Sequence, residues 1–122
     1  MRLNEITYSD AKPIESYGPG FFRIGGNLHQ GAILCSSNGV TPWGGYEDGQ
    51  TLMGLAGAID VLFIGTGAEI AHIPRGLRTQ LEEAGIGVEV MNSPSACRTY
   101  NILLSEGRRI AAALVPVSEP VS

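Results

Sequence analysis

The chain has 122 residues, of which 43% are hydrophobic and 16% charged, a composition that suits one globular domain and not a disordered segment. Net charge is −4 with only eight Lys and Arg, and the one adjacent basic pair is Arg108-Arg109. The dense cationic face of a non-specific nucleic-acid binder is therefore not expected. Two cysteines, Cys35 and Cys97, make no disulfide framework, and no run approaches the roughly 20 apolar residues that span a bilayer.

Ile6 to Tyr8 is a short strand candidate. Tyr17-Gly18-Pro19-Gly20 signals a turn, and Phe21, Phe22 and Ile24 follow as an apolar run. Gly25-Gly26-Asn27 suits a hairpin turn. Gly31 to Cys35 is the next apolar run, Ser36 to Gly39 a turn, and Val40 to Trp43 a further strand. The first third thus predicts a meander of short antiparallel strands.

The pattern changes near residue 48. Gln50 to Gly57 predicts a short helix with Leu52, Leu55 and Ala56 on one face, weakened by Gly54 and Gly57. Val61 to Ile64 is uninterrupted and apolar, as a strand buried on both faces would be. Pro74 to Ala84 predicts a helix with a Leu77–Leu81–Ala84 stripe and Gly85 as its cap. Ile86 to Met91 reads as a strand. Ser93-Pro94 opens the strongest helix, Ser93 being the expected N-cap, with Ala96, Tyr100, Leu103 and Leu104 as its buried stripe. Gly107 ends it, and Ile110 to Val115 is a final strand whose direction the short preceding turn leaves open. One α/β domain over residues 3–116 is expected, with helices on a partly parallel sheet and a flexible tail at 117–122.

Several residues are candidates for chemistry. Gly65-Thr66-Gly67 follows a buried strand, where ligands of open α/β sheets gather and free N–H groups hold anions. A dinucleotide fingerprint would need glycine at position 70, which is Ile70, so a tight turn of small residues is the competing reading. Arg98 and Asn101 share a helical face. They can receive a carboxylate or phosphate together, or they can anchor neighbouring loops. Cys97 lies in the first turns of a helix, which lowers a thiol pKa if the thiol is exposed; a buried small hydrophobe is the alternative. Trp43, beside Pro42 and Gly44-Gly45, is either core or a contact for a pocket or partner. Glu106 and Arg108 are expected to make an ion pair or a turn contact at the helix end, and Asp60 to cap a turn. His29 and His72 are isolated, no metal-ligand spacing exists, and neither a metal nor a cofactor is expected. No catalytic set is recognisable.

The runs Asp60 to Gly67 (DVLFIGTG), Gly85 to Met91 (GIGVEVM) and Ala96 to Arg108 (ACRTYNILLSEGR), in this order, resemble one family, as do Ser16-Tyr17-Gly18 and Val40 to Trp43. It is a family of unknown molecular function in bacteria and archaea that includes mitochondrial complex I assembly factor three and an adipogenesis-associated protein. The resemblance covers about residues 3 to 116. It implies a three-layer, Mth938-like α/β fold with a central mixed sheet, and it implies no catalytic residues. With it comes the expectation of a non-enzymatic, assembly-factor-like domain that binds another protein. The alternative is a small-molecule or anion site near Gly65-Thr66-Gly67. A homodimer is a further possibility, and neither nucleic-acid binding nor membrane insertion is expected. The N-terminal residues lack the apolar core of a signal peptide, so a cytoplasmic location is expected.

Overall fold

The computed structural model describes residues 12–118. The expected strand at Ile6 to Tyr8 lies outside them. The first described elements form a three-stranded antiparallel sheet: β1 (Ile14–Gly18), β2 (Phe21–Ile24) and β3 (Asn27–Gln30). Gly25 and Gly26 alone make the β2–β3 turn, with φ of 60° and 80°, and Asn27 already pairs with Ile24. Two consecutive positive φ angles match the right-handed twist of a tight hairpin and favour glycine at both positions. β1 begins earlier than the turn signal at Tyr17 suggests and carries a register shift between Ile14 and Ser16.

The second sheet has five strands in the order β5-β4-β8-β6-β7. β4 (Ile33–Ser36) and β5 (Gly39–Pro42) form a hairpin, and β4 also pairs antiparallel with β8 (Ile110–Val115). β6 (Val61–Thr66) lies parallel to both β8 and β7 (Gly87–Met91). The direction that the sequence left open for β8 is thus parallel to β6 and antiparallel to β4.

Helices α1 (Gly49–Met53), α2 (Arg75–Glu83) and α3 (Ser93–Ser105) complete the fold. The β6–α2–β7 crossover moves one way along the sheet. The β7–α3–β8 crossover passes back across β6, so a common handedness puts α2 and α3 on opposite faces. Burial follows that division. Leu34, Leu62, Ile64, Ala111 and Ala113 face Leu52 of α1 and Leu77 and Leu81 of α2. Ile33, Cys35, Phe63, Ala112 and Leu114 face Ala96, Cys97 and Tyr100 of α3, together with Ile14, Phe22 and Ile24 of the small sheet. The result is three layers around a central mixed sheet, and Val61 to Ile64 is the doubly covered strand its apolar run predicts.

Some local expectations change. α1 stops at Met53, and Ala56 is exposed beyond it. Asp48 caps α1 by accepting from the Thr51 N–H at 3.3 Å. Asn92, not Ser93, is the N-cap of α3: its Oδ1 accepts from the Ser95 N–H at 2.8 Å. Leu103 and Leu104 are only partly buried, while Cys97 joins the buried stripe. The ion pair at the base of the sheet is Arg109–Asp60 at 3.2 Å, so Asp60 holds a neighbouring cation where a turn cap was expected. Glu106 and Arg108 make the turn contact instead of an ion pair: both backbone N–H groups donate to the Leu103 carbonyl at 3.1 Å.

Candidate functional site

Gly65-Thr66-Gly67 ends β6 at the point where the chain's crossovers diverge to either side, the usual place for a ligand crevice. Here the Gly67 backbone already has protein partners. Ser93, 1% exposed, donates its N–H to the Gly67 carbonyl at 2.7 Å and accepts the Gly67 N–H on Oγ at 2.8 Å. Its hydroxyl donates to the Val115 carbonyl. One serine therefore ties the carboxyl ends of β6 and β8 to the start of α3. A Cβ on Gly65 would sit 2.8 Å from Ser93 Oγ and 2.9 Å from Leu114 Cδ2, which is why the position is bare. Thr66 Oγ1 donates to the Glu69 carbonyl at 2.7 Å and accepts from the Ala71 N–H at 3.1 Å. The Gly67 N–H that an anion would need is already spent on Ser93.

Arg98 and Asn101 do not join that turn. At 1.5 Å per residue, Asn101 lies roughly 12 Å along α3 from Ser93. Its side-chain amide accepts the Ile14 N–H at 2.8 Å and donates to the Ile14 carbonyl at 2.9 Å, acting as a strand partner for β1. Of the two readings of Asn101, the geometry matches anchoring. Arg98 is exposed and, among the described residues, its guanidinium bonds only Ser95 Oγ, at 3.3 Å.

Trp43 is 4% exposed and belongs to the core beneath α1 and α2. Its Nε1 donates to the Asp48 carbonyl at 3.2 Å, and its ring meets Tyr46 edge-on at 5.8 Å. The Asp48 carboxylate accepts from the Thr51 hydroxyl at 2.7 Å and the Gly44 N–H at 3.0 Å, and these bonds hold its pKa below the ordinary carboxylate value.

Cys97 faces the core and not the solvent. Burial pushes its thiol up from 9.0 to about 11, and the nearby Arg98 only partly opposes this. Cys35 is pushed to about 12 by burial and then by Cys97. Burial also raises the Tyr100 phenol, whose Oη has no hydrogen-bond partner among the described residues. Both thiols are therefore protonated at neutral pH, unlike the low-pKa thiolates of nucleophilic cysteines. Among the described residues no three of His, Cys, Asp and Glu gather as a metal would need.

An open concavity lies elsewhere. A groove of about 620 Å³ runs beside β7, walled by Ile70, Ile73, Val88 and Val90, with Glu89 and Arg78 at its borders. A second hollow of about 450 Å³ continues it past His72 to Arg75 and Arg78. The sequence offers no motif for this place, because it is made by two segments that run side by side only after β6 and β7 pair. The one local signal is Ile70, an isoleucine in a loop, which is 66% exposed. Among the described residues no helix is long and apolar enough to cross a membrane.

These features define a three-layer α/β domain in which Ser93 ties the end of β6 to β8 and α3. The family described as protein of unknown function (DUF498/DUF598) matches residues 14–115, and the chain belongs to it. An uncharacterized protein of Rhodobacter capsulatus is 49% identical over 117 residues, covering 96% of this chain and 94% of that protein. NADH dehydrogenase [ubiquinone] 1 alpha subcomplex assembly factor 3 of Danio rerio is 36% identical over 110 residues, covering 84% of this chain. The match spans 63% of that assembly factor's length. Among solved structures, an outer membrane protein from Bartonella henselae superposes with a TM-score of 0.81 at 36% identity, over 91% of this chain and 99% of that one. A Mth938-like domain from Bordetella pertussis gives 0.75 at 26%, over 99% and 96% of the two chains. The expected Mth938-like architecture and the kinship with complex I assembly factor three both hold.

Proposed function

We propose that this chain is a non-catalytic protein-binding domain that works as an assembly factor does, holding another protein while a larger complex is built. The observation that carries the reading is the 36% identity to assembly factor 3 across most of the described fold. The match covers 84% of this chain, so what the relative uses this domain for is open to this chain on the same scaffold. The Gly67 N–H already bonded to Ser93 and the protonated, buried Cys97 favour a surface role over a reaction. Residence in the cytoplasm belongs to the same proposal. Affinity capture of the tagged chain from its own cells, read by mass spectrometry, is expected to recover a partner protein in stoichiometric amount. Repeated recovery of the chain alone would refute the reading.

A further inference from the structure

Among the described residues β7 is an outer strand of the five-stranded sheet, paired on one side only, with β6. The Gly87 N–H is spent on the Asp60 carbonyl at 2.8 Å, so the alternation of a parallel ladder turns the Val88 and Val90 peptide groups outward. The Val88 carbonyl accepts from Arg78 Nη1 at 3.4 Å. The N–H groups of Val88 and Val90 and the Val90 carbonyl are left without partners among the described residues. An unpaired edge is a template for another strand unless something covers it. Here the groove runs along it, with Ile70 standing exposed on the far wall.

Charge selects the occupant. The chain as a whole carries −4, yet the hollow is lined by two cations, Arg75 and Arg78, against one carboxylate, Glu89. Arg75 forms no ion pair among the described residues, while Arg78 shares its charge with Glu82 at 3.3 Å. A second copy of this chain pairing antiparallel about β7 would bring Glu89 towards its own symmetry mate, which disfavours that occupant. Resting on the protein-binding reading above, we infer that the β7 groove takes an extended segment of a partner protein as a sixth strand, with alternate apolar side chains in the groove and acidic residues at Arg75 and Arg78. Main-chain hydrogen bonds would give affinity and the groove and cations specificity.

The probe is a fluorescent octapeptide alternating threonine and valine and ending in two glutamates, with a version ending in two lysines as control. The acidic peptide is expected to bind and to slow amide exchange at Val88 and Val90. The lysine version, or the charge-reversed Arg75→Glu/Arg78→Glu protein, is expected to bind at least about tenfold more weakly, equivalent to about 1.4 kcal/mol. Val90→Pro removes an outward donor and no ladder bond, a substitution edge strands tolerate, and is expected to abolish binding in a folded protein. Should Val90→Pro fail to fold, the charge-reversed protein decides. No exchange protection at Val88 and Val90, or equal binding of both peptides, overturns the inference. So does a captured natural partner that the charge-reversed variant holds as well as the parent does, and that result leaves the protein-binding reading intact. Failure to capture any partner strikes the reading itself.

Discussion

Asn101 shows how one side chain can decide between a site and a support. Both ends of its amide are bonded to Ile14, 87 positions away. Asn101→Ala should leave a backbone N–H and carbonyl of β1 unsatisfied and cost about 1–3 kcal/mol in denaturant unfolding. Arg98→Ala, one turn earlier and exposed, should cost under about 0.5 kcal/mol, as solvent-facing substitutions do. The two thiols make a second test. In the fold Cys35 and Cys97 keep their protons to about 12 and 11, whereas the unfolded chain loses them near 9.0. Deprotonation thus favours the unfolded state, and stability should fall as pH rises from about 9 towards 11. Melting curves at pH 7 and pH 10 should show that fall, and Cys97→Ala should lessen it. Neither thiol should react quickly with iodoacetamide at neutral pH while the protein is folded.

At the scale of elements, the punctuation of the chain was legible where burial is two-sided. Val61 to Ile64 and the Leu77–Leu81 stripe stand as expected, because their apolar periodicity leaves few alternatives. The proline signal places the start of α3 one residue late, since Ser93 is its first residue and Pro94 its second. β1 and β3 were not legible as strands, since most of their side chains face solvent and show no apolar run. The Asn92–Ser93 step illustrates the limit of cap signatures. Both residues are good N-caps, and the sequence favoured Ser93 through its proline. Packing decided for Asn92, because Ser93 is needed between β6 and β8. Gly65→Ala should therefore destabilise by about 1–3 kcal/mol, by forcing a Cβ to within 2.8 Å of Ser93. Asn92→Ala should cost about 1 kcal/mol through loss of the cap. Thermal denaturation of each variant measures both.

For the molecule as a whole, β8 is the keystone. It is the last strand in sequence but the middle one in space, held by β4 on one side and β6 on the other. Ala111, Ala112 and Ala113 are fully buried there, small enough to let both helical layers close on the sheet. Native-state hydrogen exchange should find β6 and β8 the slowest to open and the outward amides of β7 among the fastest of the sheet. Ala113→Leu should overpack the α2 side and cost about 1–3 kcal/mol.

The sequence alone determined the class of fold and the identity of most central elements, because period, length and turn chemistry are local quantities. Tertiary structure alone decided the sheet order, the direction of β8 and the fate of each candidate residue. Those depend on which distant peptide groups meet: Asn101 with Ile14, Ser93 with Gly67 and Val115, and β7 with β6 alone among the described residues. A side chain's type limits the bonds it can make, but only the folded backbone supplies the partner.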